Sequence, residues 1–93
     1  MPTIAEFSGL KVCMCREDRS SHHYPHIHVY FAEYDAVVRI PDGELMEFDD
    51  GFPKAKIRLA QVWVDLHTAE LMENWRLIGS DKKFFKISPL EVK

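Results

Sequence analysis

The hydrophobic pattern changes its period close to residue 50, and this change restricts the chain to a small set of folds. Before Asp49, short runs of β-branched and aromatic residues alternate with turn residues, which is typical of strands. After Pro53, the apolar residues recur at the spacing of an amphipathic helix. Consecutive strands followed by a helix predict an α+β domain.

Turn residues divide the first half of the chain into five strand-like segments. Gly9 ends the first segment, and Pro41-Asp42-Gly43 has the composition of a tight turn. Because short connections join neighbouring antiparallel strands, we expect a small antiparallel sheet of about four to five strands. The predicted strands are Ile4–Phe7, Leu10–Arg16, His26–Phe31, Ala36–Ile40 and Glu44–Phe48.

The second half predicts one long amphipathic helix from Lys54 to Gly79, followed by a short strand at Phe84–Ile87. A helix of roughly 25 residues is about 37 Å long, so we expect any bend to fall near His67-Thr68. This helix should lie on the sheet with one apolar face. The residues of that face are Leu59, Val62, Trp63, Leu66, Leu71, Trp75 and Ile78.

Size and composition limit the classes of function. The 93 residues predict a single domain covering 1–93, and a hydrophobic content of 46% with 29% charged residues is typical of globular proteins. No apolar run suits a membrane span, and the N-terminus does not resemble a secretion signal, so we expect a cytoplasmic protein. The net charge of −3 is unusual for a general nucleic-acid binder, so any such role requires a local patch.

Four of the five histidines fall within seven residues, at His22, His23, His26 and His28. In a strand, alternate side chains share a face, so His26 and His28 should stand together while Ile27 faces the core. We expect that histidine face to be solvated. Imidazole titrates near neutral pH, and two such groups can serve as general base and general acid.

Three interpretations of this cluster remain open on the residues alone. The first is metal-independent RNA cleavage, with an arginine (Arg16, Arg19 or Arg39) holding the phosphate. The second is a metal site, with His22, His26 and His28 as three ligands at workable spacing. One antiparallel register, which the sequence does not fix, would set Cys13 opposite His28 and Cys15 opposite His26 and so form a Cys2His2 cluster. The third is a polar strand or a binding face without chemistry. His67, alone on the helix, reaches the cluster only if the helix crosses that face.

Several motifs together indicate a known family. They are Pro2-Thr3-Ile4 with Phe7 and Gly9, His22-x-x-Pro25-His26-Ile27-His28-Val29, Tyr34-x-Ala36-Val37, the helix residues Trp63, His67, Glu70-Leu71 and Asn74-Trp75, and the closing Ile87-x-Pro89-Leu90. Over nearly its whole length the chain resembles domain-of-unknown-function family 4160. His23 does not match the family pattern, Tyr24 replaces the first of two prolines, and Cys13 and Cys15 match no family feature.

The resemblance implies a small bacterial protein that is encoded beside a small partner of domain-of-unknown-function family 2442. Such a pair resembles a type II toxin–antitoxin module, with this chain in the position of the toxin. Combined with the first interpretation of the histidine cluster, this arrangement predicts a metal-independent endoribonuclease without a cofactor. His26 and His28 would then share the acid–base work and His22 would line the site. The substrate-binding candidates are Arg16, Arg39 and His67.

The alternative belongs to a different functional class. The protein would be a non-enzymatic module that binds its antitoxin-like partner, and the histidines would be interface residues whose contacts depend on pH. A metal-binding protein is the third expectation.

Overall fold

Five strands form one antiparallel sheet whose spatial order follows the order along the chain. The computed structural model describes residues 3–14, 24–40, 42–79 and 84–88. The strands are β1 (Thr3–Phe7), β2 (Leu10–Cys13), β3 (His26–Phe31), β4 (Tyr34–Arg39) and β5 (Leu45–Phe48). Two helices follow, α1 (Lys54–Leu66) and α2 (Thr68–Gly79). The five-stranded sheet agrees with the alternating pattern of the first half.

Tight turns between the strands hold this order. Ser8 and Gly9 join β1 to β2 with φ angles of 51° and 80°, the positive values that the central residues of a type I′ hairpin turn need. Gly43, with φ of 72°, lies in the turn between β4 and β5. Its carbonyl accepts a hydrogen bond of 2.9 Å from the Gln61 side chain, so this turn is attached to α1.

One face of the sheet carries the hydrophobic core, and Trp63 of α1 lies at its centre. Trp63 is fully buried, and its ring is 5.5 Å from that of Phe7. Its indole N–H donates a 2.8 Å hydrogen bond to the carbonyl of Ser88, which satisfies the polar atom of an otherwise apolar side chain. The sheet contributes Ile4, Val12, Ile27, Val29 and Val38, all fully buried.

The expectation of a single long helix is wrong, because the chain forms two helices that break at His67. The His67 amide bonds to the carbonyls of both Trp63 and Val64, at 3.1 and 3.2 Å. The Thr68 hydroxyl then donates to the Val64 carbonyl at 2.9 Å, the carbonyl that the Thr68 amide would bond in a continuous helix. The break therefore falls at the residues where a bend was expected. Within the described ranges no helix is long and apolar enough to cross a membrane.

Two further expectations also fail in the second half of the chain. Leu66 and Val62 do not pack on the sheet and are 61% and 44% exposed, because the buried side of α1 is formed by Ile57, Ala60, Trp63 and Val64. The segment 84–88 is not a strand, although the Ile87 amide donates one bond of 2.9 Å to the Ile4 carbonyl on the outer edge of β1.

The segment 84–88 is held to α2 by Asn74. The Asn74 side chain donates to the Phe85 carbonyl at 2.7 Å and accepts from the Phe85 amide at 2.9 Å. Asn74 is fully buried, so its amide atoms in both hydrogen bonds are shielded from solvent. The amide thus pairs with the backbone as a neighbouring strand would.

Candidate functional site

The second face of the sheet gathers the polar side chains of the central strands. In the register of the sheet, Cys13, His28 and Val37 lie side by side, and Lys11 lies beside Tyr30 in the neighbouring row. We call this surface the histidine face and define it by Lys11, Cys13, His26, His28, Tyr30, Val37 and Arg39. The predicted pairing of Cys13 with His28 is confirmed.

His26 and His28 share this face as predicted, but the expectation that both are solvated is wrong for His26. His26 is 2% exposed, and its ring lies 5.3 Å from the ring of Trp75 on α2. The His26 and His28 rings meet edge to face with centroids 5.1 Å apart. The pair therefore consists of one buried and one half-buried imidazole.

A backbone carbonyl sets the orientation and tautomer of His26. Its Nδ1 lies 2.9 Å from the carbonyl oxygen of Tyr24. A carbonyl can only accept, so Nδ1 carries the hydrogen and the neutral ring has its unprotonated nitrogen at Nε2. The T-shaped contact with the Tyr24 ring, at 5.7 Å, adds a second constraint on this imidazole.

On the histidine face lies an open depression of about 410 Å³, lined by Lys11, Cys13, Tyr30 and Ala32, and Cys13 is the register partner of His28. The Tyr30 ring stacks on His28 with centroids 6.5 Å apart. Lys11 is exposed and makes no ion pair with any described residue. Ala32, with φ of 53°, is the first residue of the two-residue turn that joins β3 to β4, where a positive φ is required. The depression thus offers one ammonium group and one phenol next to an imidazole.

Arg39 lies opposite His26 in the register, but its guanidinium is already engaged. It forms ion pairs with Asp42 and Glu44, and its Nε donates to the Asp42 carboxylate at 3.1 Å. These bonds raise the pKa of Arg39, and the hydrogen bond from Arg39 is the main reason why the pKa of Asp42 falls to about 2. A phosphate reaching Arg39 would have to displace a carboxylate.

The Arg39–Asp42 pair predicts a small acid-dependent loss of stability. Because the pKa of Asp42 is lowered from 3.8 to about 2 in the folded chain, its stabilising effect is complete above pH 4 and is lost as the pH falls towards 2. Asp42→Asn should therefore melt below the parent at pH 6, and the difference should shrink between pH 4 and pH 2. Melting curves by circular dichroism measure it, with Asp50→Asn as the exposed control. A difference that stays constant with pH would contradict this assignment.

His67, the remaining predicted site residue within the described ranges, does not lie on this surface. His67 packs on Trp63, with centroids 5.4 Å apart, and its Nδ1 donates to Glu70 at 2.8 Å. His22 and Arg16 lie outside the described residues.

Only some of the predicted metal ligands lie within the described residues. Cys15, like His22, lies outside the described residues, and the described ranges hold no group of three or more side chains placed to bind a metal ion. Cys13 is buried, and its sulfur lies 3.8 Å from the Thr3 hydroxyl. Cys13 therefore lies at the edge of the histidine face, but it is enclosed as a core residue would be.

Lys11 was missed when the sequence was considered alone, although the signal for it was present. The register that sets Cys13 opposite His28 also sets Lys11 opposite Tyr30, on the same face. Extending that register by two residues would have added a cation to the candidate site.

Comparison with known proteins identifies one family. The family model described as Domain of unknown function (DUF4160) matches residues 9–76. This match covers most of the chain and confirms the family predicted from the motifs. No curated protein and no solved structure shows significant similarity to the chain.

Proposed function

The chain belongs to the DUF4160 family, and we propose that it is the toxin of a bacterial type II toxin–antitoxin pair that cleaves RNA without a metal ion. The observation that carries this proposal is the contact between the His26 and His28 rings beside the depression that holds Lys11. Cleavage of a phosphodiester by acid–base chemistry needs at least an imidazole to transfer protons and a cation to stabilise the charge on the phosphate.

The chemistry uses the RNA's own 2′-hydroxyl. His28 takes the proton of that hydroxyl as its oxygen attacks the adjacent phosphorus, so a 2′,3′-cyclic phosphate forms. The bond from phosphorus to the 5′-oxygen breaks in line, on the side opposite the attack. A water molecule therefore protonates the leaving oxygen, and the hydroxide that remains takes up the proton of the His28 imidazolium. No net proton, metal ion or co-reactant is consumed. The Lys11 ammonium binds the phosphate and offsets the charge that develops on its oxygens.

Burial separates the roles of the two histidines. His28 is half-buried and pairs with Cys13, which lines the depression, so it is the imidazole that we place at the substrate. His26 is covered by Trp75 and fixed by the Tyr24 carbonyl, so it acts as a positioning residue that holds the His28 ring through their edge-to-face contact. We place Lys11, instead of the carboxylate-paired Arg39, at the phosphate. Roles for His22 and Arg16 stay predictions.

A second function is favoured by the burial of His26 and by the pairing of Arg39 with two carboxylates. Both features withdraw groups that a nuclease site would use, whereas an interface needs neither a second exposed imidazole nor an unpaired guanidinium. In this alternative the histidine face binds the small partner of domain-of-unknown-function family 2442 without catalysis. Protonation of His28 would then alter the binding, so the affinity would depend on pH near neutrality.

Expression in a bacterium separates a toxin from a protein that is inert alone. We expect growth to stop when the chain is induced by itself and to continue when the neighbouring partner gene is expressed with it. Growth that is unimpaired in both cultures would overturn the toxin proposal.

Variants then separate catalysis from binding in the same assay. His28→Ala and Lys11→Ala should restore growth, whereas His67→Ala, which removes an imidazole outside the histidine face, should leave the arrest intact. Folding of each variant is checked by circular dichroism. Arrest that persists in a folded His28→Ala variant would contradict the acid–base role.

A further inference from the structure

The two edges of the sheet differ in how they are covered. On β1, the segment 84–88 lies along the outer edge and donates one hydrogen bond to it, from Ile87 to Ile4. On β5, no described strand or segment pairs with the outer edge. An exposed edge presents backbone donors and acceptors to any extended chain that can approach it. Among the residues that the structure describes, the edge of β5 is therefore the open end of this sheet.

An apolar groove runs beside that open edge, between β5 and the first half of α1. It has a volume of about 410 Å³ and is lined by Leu45, Phe48, Lys54, Ala55, Ile57, Arg58 and Gln61. Phe48 is 56% exposed, which is high for a large aromatic side chain. A strand added to β5 would place every second side chain over this groove.

The groove carries two cations on the α1 side. Lys54 and Arg58 are both exposed, and neither makes an ion pair within the described part of the chain. Residues four apart lie on one side of a helix about 5–6 Å from each other. Alternate residues of a strand are about 6.6 Å apart. Two acidic side chains at positions i and i+2 of an added strand would therefore match these two cations.

A second copy of the chain does not fit this surface. Pairing β5 with another β5 would bring together the two copies of Glu47, the acidic residue of that strand. Like charges on neighbouring strands are destabilising. The positive charges of Lys54 and Arg58 beside the groove instead suit an acidic segment.

We propose that β5 and this groove form a docking site for an extended segment of another protein, which adds a sixth strand to the sheet. The segment carries two carboxylates spaced two residues apart and an apolar side chain on the same face. The carboxylates reach Lys54 and Arg58, and the apolar side chain covers Phe48 and Leu45. Backbone hydrogen bonds to β5 provide affinity, and the groove provides selectivity.

A random peptide library tests this docking site without knowledge of the partner. Peptides of about ten residues, the upper end of common strand lengths, are displayed on phage and selected on the full chain. We expect enrichment of sequences with two acidic residues at i and i+2 and an apolar residue at a further alternate position. Failure to enrich any peptide, or enrichment without this acidic spacing, would overturn the proposal.

Three measurements on an enriched peptide locate its binding, each by fluorescence anisotropy. Arg58→Glu should weaken binding about five- to tenfold, the effect of replacing an exposed attraction by a repulsion. Lys86→Glu, an equal charge reversal in the segment beside β1, should leave it unchanged. Methylating alternate peptide nitrogens should abolish binding, because it removes the hydrogen bonds to the strand edge. Equal effects of the two charge reversals, or binding that survives methylation, would contradict strand addition at β5.

This site is independent of the histidine face, which lies on the other side of the sheet. Growth arrest can be absent while the peptides bind, and the reverse can also hold. The two proposals therefore fail separately.

Discussion

Replacing Asn74 by alanine is expected to lower the melting temperature by about 10–20 °C. The substitution removes both hydrogen bonds to the Phe85 backbone and opens a cavity at a fully buried position. Leaving partly buried backbone groups without partners costs about 2–3 kcal/mol. In a domain of this size, each kcal/mol shifts the melting temperature by about 4–8 °C. Asn74 thus holds the segment 84–88, and with it the Ser88 carbonyl that satisfies Trp63.

Glu73→Ala provides the matched control for this prediction. Glu73 is the neighbouring residue on α2 and its carboxylate pairs with Arg76 at the surface. Loss of an exposed ion pair should change the stability by less than about 1 kcal/mol. Thermal melts of both variants, followed by circular dichroism, make the comparison. If Asn74→Ala melts within a few degrees of Glu73→Ala, the two hydrogen bonds between Asn74 and Phe85 contribute little to the stability of the fold.

The second large effect concerns activity. His28→Ala is expected to slow RNA cleavage by roughly 10²- to 10⁴-fold, the usual contribution of a general acid–base group. The fold should survive, because His28 is only half-buried and its loss leaves the core face untouched. Purified variants acting on a labelled RNA give the rates. The parent's rate should also fall on the acid side of neutrality, since a protonated imidazole cannot act as the base.

Three further variants distinguish the parts of the site. Lys11→Ala should weaken cleavage by reducing both RNA binding and charge stabilisation, whereas His67→Ala should match the parent. His26→Phe keeps an aromatic ring against Trp75 and should lower the rate less than His28→Ala. A larger loss in His26→Phe than in His28→Ala would show that the buried imidazole performs the chemistry.

The strands and their faces could be predicted from the sequence because both depend on local pattern. Alternation placed Ile27 and Val29 in the core, and the register that pairs Cys13 with His28 is the observed one. The two helices could not be predicted with the same ease. Their apolar spacing continues through the break, so the hydrophobic pattern does not reveal it, and the bond from the Thr68 hydroxyl to the Val64 carbonyl at that point leaves no mark in the pattern.

The candidate site was predictable in part for the same reason. Strand alternation puts His26 and His28 on one face, but only the tertiary structure brings Trp75 over His26. The pairing of Arg39 with Asp42 is different, since the residues are three apart across a turn and could have been recognised in the sequence. Lys11 could have been assigned to this face from the register that pairs Cys13 with His28.

The chemistry of the RNA ends tests the central claim most directly. Purified parent protein is incubated with a labelled RNA in the presence of EDTA, and the ends of the products are analysed. Acid–base cleavage through the 2′-hydroxyl predicts 2′,3′-cyclic phosphate and 5′-hydroxyl ends, with loss of the products in His28→Ala. No cleavage in EDTA, or products bearing 5′-phosphate ends, would contradict a histidine-based ribonuclease on this face.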